Sequence, residues 1–192
     1  MRRTFIVIMA FSLMLVAAAP AFARGGPPAG VRPGNQTIAE IAEAEGFDLL
    51  LAAVGYVAET NPESALVAGL LNNDQYTVFA PTDQAFLDLV GALGVDPNNP
   101  FTGIDELLGE GTVEAVLSYH VTDGRRATNS VLPRNGERTI TTLLPGATFS
   151  VDSEATITDI AGQEANIDPA NISASNGVIH VIDTVLLPLP PA

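Results

Sequence analysis

Two histidines, His120 and His180, are the residues of this sequence best suited to acid–base or metal chemistry. His120 ends the run Ser118-Tyr119-His120, which puts a hydroxyl and an imidazole within two positions of each other. Serine, histidine and a carboxylate together perform nucleophilic hydrolysis, and histidines grouped with acids bind metals. Either chemistry requires further partners from the rest of the chain.

Those partners are scarce. The chain has no cysteine, which excludes disulfides, thiol catalysis and cysteine-ligated metal sites. There is no His-x-x-x-His spacing, and no glycine-flanked serine elbow accompanies Ser118. Asp105 and Glu106 are adjacent on a predicted helix, so their side chains diverge and do not form a glycosidase pair. We expect no catalytic site, no metal and no cofactor, and a hydrolase is the weakest alternative.

The amino-acid composition limits the classes of partner that the protein can bind. The 192 residues carry 22 acids against eight Lys and Arg, for a formal net charge of −14, and all eight basic residues are arginines. Binding to phosphate backbones needs clustered Lys or Arg. Nucleic acid is therefore excluded as a partner, and the scattered acids indicate a solubilising surface.

The first residues have the pattern of an export signal. Arg2 and Arg3 precede an apolar run over residues 5–19, and an A-x-A site ends at Ala23. The run is shorter than the ~20 apolar residues that span a bilayer. We predict a signal peptide over residues 1–23, a flexible Gly/Pro leader over 24–35, one domain over 36–189 and a tail over 190–192. Cleavage leaves a net charge of −16, because it removes two arginines and no acid.

The front part of the domain has helical periodicity. Apolar spacing predicts a helix after Thr37 that ends at Gly46, a buried helix over 47–59, and a third opened by Pro62. Further helices are expected over 83–93, 104–108 and 113–120.

From Thr122 onward the sequence consists mainly of runs of β-branched residues separated by Gly, Pro and Asn. Strands are expected over 139–143, 147–151 and 155–160, with a final pair within 178–187 and a tight turn at Asn176-Gly177. Helices followed by a meander of short strands predict an α+β domain with a largely antiparallel sheet.

The stretch YTVFAPTDQAF, residues 76–86, joins a strand directly to a helix. Val78 and Phe79 are expected to end a buried strand, because Pro81 biases Ala80 away from helix. Thr82 can then cap the next helix, with Asp83 in its first turn beside the helix dipole. The Thr-Asp pair is predicted to be structural.

His180 alternates with Ile179 and Val181 along a predicted strand. A structural histidine is expected there, hydrogen bonded to a carboxylate such as Asp183 or Asp83.

Two segments carry a family likeness: T-V-F-A-P-T-D-x-A-F at residues 77–86 and N-G-V-I-H-V-I-D-x-V-L-L-P at residues 176–188. With Tyr119-His120 between them, they resemble the fasciclin domain family over nearly the whole mature chain. The resemblance implies a wedge-shaped pair of β-sheets packed with several helices, with the two motifs on adjacent central strands. It also implies an extracellular adhesion role without a catalytic site.

In animal relatives, the resemblance implies, the Tyr-His segment is linked to receptor binding, so Tyr119 and His120 are candidate partner contacts. The alternative is that Tyr119 packs in the core while its hydroxyl, or the imidazole, meets a buried backbone group.

We therefore predict a secreted, non-enzymatic binding module of the periplasm or medium, without membrane insertion after signal cleavage. It is expected to attach to extracellular protein or polysaccharide. The alternative is a groove between sheet and helices that binds a small apolar or carbohydrate ligand.

Overall fold

A computed structural model of the chain describes residues 34–71 and 74–188. The predicted signal peptide, most of the leader and the tail lie outside the described residues. Within the described part, no helix is long and apolar enough to cross a membrane.

The first helix shows how local sequence sets the helix ends. The Thr37 hydroxyl accepts from the Glu40 amide at 3.2 Å, and the Glu40 carboxylate accepts from the Thr37 amide at 2.7 Å. This capping box satisfies amides that the first turn leaves unpaired, and Gly46 ends the helix in the left-handed conformation. The helices of the described residues are α1 (Ile38–Glu45), α2 (Asp48–Thr60), α3 (Ala65–Leu71), α4 (Asp83–Leu93), α5 (Pro100–Leu108), α6 (Thr112–Tyr119) and α7 (Thr128–Val131).

The strands of the described residues form one sheet in the order β2-β1-β7-β6-β5-β4-β3. They are β1 (Tyr76–Pro81), β2 (Val121–Asp123), β3 (Glu137–Thr141), β4 (Thr148–Asp152), β5 (Thr156–Thr158), β6 (Glu164–Ala174) and β7 (Gly177–Ile182). Neighbouring strands run antiparallel except β1 and β7, which are parallel. The predicted α+β class with a largely antiparallel sheet is confirmed.

The two family motifs lie side by side, on β1 and β7, with Phe79 opposite His180. The prediction that the first strand ends at Phe79 was wrong, because the strand continues through Pro81, which pairs with Ile182. Pro81 lacks an amide donor, but as the last residue of β1 it still fits the extended backbone.

β6 connects β2, β1 and β7 on one side of the sheet with β5, β4 and β3 on the other. It pairs with β7 on one side and β5 on the other, and its register shifts between Ile167 and Asn171. A bulge of this kind bends a strand and increases its twist. One apolar core packs the helices against β1, β2 and β7, and a second, on the opposite face of β1, is built around Phe79, Tyr119 and Phe149.

Several predicted boundaries need correction. The third helix begins at Ala65 rather than at Pro62, and the fifth begins at Pro100 rather than at Ile104. The predicted final pair of strands is one strand, β7, followed by irregular chain. Sequence periodicity does not predict β2, α7 or the eleven-residue β6.

Candidate functional site

Tyr119 and His120 lie at the C-terminal end of α6, and both are in the interior. Tyr119 is 0% exposed and His120 is 2% exposed. The Tyr119 hydroxyl donates to the carbonyl of Thr148 at 2.9 Å and accepts from the amide of Ile160 at 3.2 Å. Both side chains are buried and bonded within the domain, which agrees with the structural alternative, and their role as partner contacts stays a prediction.

Both ring nitrogens of His120 have backbone partners. Nδ1 lies 2.7 Å from the carbonyl of Val116, one turn back on α6, and Nε2 accepts from the amide of Leu186 at 2.9 Å. A carbonyl can only accept and an amide can only donate, so the ring is neutral with its proton on Nδ1. Burial lowers the pKa of His120 to about 4.

His180, on β7, has a comparable environment. Its Nε2 lies 2.9 Å from the carbonyl of Arg126, and its ring stacks on Phe79 with centroids 5.4 Å apart. Burial lowers the pKa of His180, while the bond to Arg126 opposes that shift.

The carboxylate partner predicted for His180 was wrong. Asp83 accepts from the amide of Leu49 at 3.0 Å, and Asp183 accepts from the amide and side chain of Asn166, each at 2.8 Å. The ring instead meets a backbone carbonyl in the loop between β2 and α7, since that loop passes over β7.

Thr82 is the N-cap of α4, as predicted. Its hydroxyl accepts from the amide of Ala85 at 3.3 Å. Asp83 begins the helix, but its carboxylate also bonds to Leu49 at the start of α2. The Thr-Asp pair therefore has a second structural task, which is to join two helix N-termini.

Asp105 and Glu106, the adjacent acids considered above, differ in environment. Asp105 accepts from the Tyr56 hydroxyl at 3.0 Å and from the amide of Val113 at 2.9 Å, whereas Glu106 is exposed. Burial and the neighbouring Asp105 carboxylate raise the pKa of Tyr56. This carboxylate is used to cap α6 and is not paired with a second acid.

Sequence reasoning missed buried polar residues with structural roles, among them Asp159 and Asn176. Asp159 is 6% exposed and accepts from the amides of Gln163 and Leu187, each at 2.8 Å. Asn176 is 2% exposed, and its side-chain oxygen accepts from the amide of Ile38 at 2.8 Å. The Asn176-Gly177 pair predicts a tight turn, which gives no sign that the Asn176 side chain caps a distant helix.

Two features of the described residues bear on metal or acid–base chemistry. Over residues 34–71 and 74–188, no group of three or more His, Asp and Glu side chains could hold a metal ion. The acids at Asp83 and Asp183 are engaged with amides rather than with a histidine. The motif side chains thus join helices, strands and the C-terminal segment to one another.

Several known proteins are similar in sequence to this chain. The immunogenic protein MPB70 of Mycobacterium bovis is 30% identical over 162 residues, which cover 84% of this chain and 74% of MPB70. Protein sll1483 of Synechocystis sp. is 34% identical over 158 residues, which cover 79% of this chain and 73% of that protein. The cell surface glycolipoprotein MPB83 of M. bovis is 32% identical over 129 residues, 67% of this chain and half of MPB83.

Among solved structures, a FAS1 domain pair from the insect cell adhesion molecule fasciclin I is similar, with a TM-score of 0.45 and 18% identity, over 71% of this chain and 45% of that one. The model of the fasciclin domain matches residues 54–188, which is more than half of the sequence. The chain therefore belongs to the fasciclin domain family.

Proposed function

We propose that this protein, once exported, is a non-enzymatic binding protein that attaches to an extracellular protein or polysaccharide, in adhesion to a surface, a matrix or other cells. Membership of the fasciclin family supports this role. The relative MPB83 is named for a place on the cell surface, which supports an external location for this chain as well.

One observation carries the proposal: the two histidines of the family motifs are buried, and together with Thr82 they are bonded within the domain. His120 and His180 bond to backbone groups of other segments, and Thr82 caps a helix. Groups engaged in this way hold a fold together and leave recognition to the outer surface. Tyr119 and His120 then contribute to binding only by maintaining that surface.

The surface at the C-terminal end of α5 is the best candidate for contact with a partner. Leu107 is 56% exposed and Leu108 is 38% exposed, and exposed apolar residues beside a cleft are typical of binding sites. Leu107 borders a cleft of about 600 Å³ that also has Asp96, Thr102 and Glu106 in its wall. This mixture of apolar and polar groups suits a peptide or a sugar chain.

The experiment measures attachment of cells, and of immobilised polysaccharides, to wells coated with the purified protein. Leu107→Ser is compared with Ile160→Ser, because Ile160 is 52% exposed but lies in the turn after β5 and does not line this cleft. We expect Leu107→Ser to reduce attachment and Ile160→Ser to leave it unchanged. Absence of attachment by the folded wild type would contradict the adhesion role, and equal attachment by both variants would contradict the assignment to α5.

A further inference from the structure

An apolar groove separates the first helices from the sheet. Its floor is Val78 of β1 and Val121 of β2, and its walls come from α1, α2, α3 and the end of α6. The cavity has a volume of about 80 Å³ and reaches the surface beside Ala39, which is exposed, and Val54, which is partly exposed. It is distinct from the cleft at α5.

The groove gives water little to bind. A water needs roughly 10–15 Å³ of such a cavity and two to four polar partners. The cavity has room for several waters, but its one polar lining side chain is His120, whose two nitrogens already bond to Val116 and Leu186. The remaining walls are aliphatic, so an apolar occupant is favoured over water.

Charge further restricts the occupant. The sequence has no Lys or Arg from position 34 to 124, so none of the elements that form the groove carries a basic residue. Glu43 lies one turn along α1 from Ala39, on the same side of the helix and exposed. An anionic head group at the mouth would be repelled, with nothing basic on these elements to pair with it.

A second copy of the chain is a less suitable occupant of the groove than a small molecule. The formal net charge of −14 makes two copies repel each other. The cavity is also too narrow to receive the broad face of another protein. We propose that this groove binds a small, hydrocarbon-rich molecule that carries no negative charge. This activity is separate from attachment through α5.

Two single-ring probes, followed by fluorine NMR, test the proposal on the purified full chain. Fluorobenzene is uncharged and small enough for the groove, and 4-fluorobenzoate has the same ring with an added carboxylate. We expect saturable binding of the neutral probe and about tenfold weaker binding of the anionic one at low salt, because the carboxylates on α1 repel the probe's carboxylate across water. Added salt should narrow that difference.

Matched variants on α1 locate the site. Ala39→Phe places a ring at the mouth, whereas Ala44→Phe adds the same ring at an exposed position of the same helix that does not line the groove. Both positions are exposed, so both variants should fold, which thermal melting checks. We expect Ala39→Phe to weaken binding of the neutral probe about tenfold and Ala44→Phe to leave it unchanged.

Four results would overturn the proposal. The first three are no binding of the neutral probe, equal binding by the two variants, and equal binding of the two probes. The fourth is sedimentation showing a dimer of the wild type that Ala39→Phe dissociates, which would assign the groove to a second copy.

Discussion

The imidazole of His120 accepts a hydrogen bond from the amide of Leu186, a residue 66 positions further along the chain. The same imidazole donates to Val116 on its own helix. His120 therefore ties the segment after β7 to the end of α6, and it can do so only while Nε2 is unprotonated.

Acidification should weaken this link and lower the free energy of unfolding. The folded-state pKa of His120 is about 4 against a usual 6.5, so the unfolded chain takes up the proton first and stability falls as pH falls from 6.5 towards 4. The loss is of the order of 3 kcal/mol over the full window. His180 shifts in the same direction and adds to the effect.

Urea unfolding between pH 7.5 and 5 measures this dependence in a range where acids with ordinary pKa values stay ionised. His120→Asn should flatten the curve, and His180→Asn should flatten it further. A wild-type free energy of unfolding that does not change over this range would contradict the neutral, buried state of both rings.

Tyr119→Phe should destabilise the domain by about 1–3 kcal/mol, because it leaves the Thr148 carbonyl and the Ile160 amide without their buried partner. Hydrogen exchange at Ile160 should accelerate. Tyr56→Phe is the matched control, since Tyr56 is only partly buried and water can replace its bond to Asp105. Attachment by folded Tyr119→Phe should equal that of the wild type; a specific loss would restore Tyr119 as a contact.

Thr82→Ala should cost about 1 kcal/mol by removing the cap of α4, and lower Tm by about 2–4 °C. Thr82→Ser keeps the hydroxyl and should melt close to the wild type. Calorimetry of the three proteins decides the matter: equal Tm values would show that the cap contributes nothing.

Gly177→Ala should be severely destabilising. A Cβ at this position would overlap the carbonyl of Tyr76 on the paired strand, so β1 and β7 would have to separate. Gly55→Ala offers the contrast, because a Cβ there meets nothing within 4 Å and Ala favours a helix interior by roughly 0.5–1 kcal/mol. Circular dichroism melts should move in opposite directions for the two variants.

Local signals explain what could be predicted from the sequence. The starts of α1 and α4 are predicted to within a few residues by Thr37 with Glu40 and by Thr82 after Pro81. The motif strands were placed side by side through the family likeness, and Phe79 opposite His180 confirms that placement. These features depend on neighbours in sequence or on long, specific motifs.

The rest depends on contacts between distant segments. β6 contains Pro169 within its register shift, and a proline inside a run argues against a strand. The partner of His180 is the backbone carbonyl of Arg126, and that of Asn176 is the amide of Ile38. No residue type marks such a backbone partner, so the site's hydrogen bonds could not be assigned before the fold was known.

The parallel pairing of β1 with β7 also bears on how the protein is made. β1 ends at Pro81 and its parallel partner β7 begins at Gly177, so the helices α4 to α7 and the strands β2 to β6 all lie between them in sequence. A nascent chain cannot pair β1 with β7 until residues 177–182 have left the ribosome, and contacts so far apart in sequence slow folding. The complete sheet therefore forms only after nearly all of this domain has been synthesised.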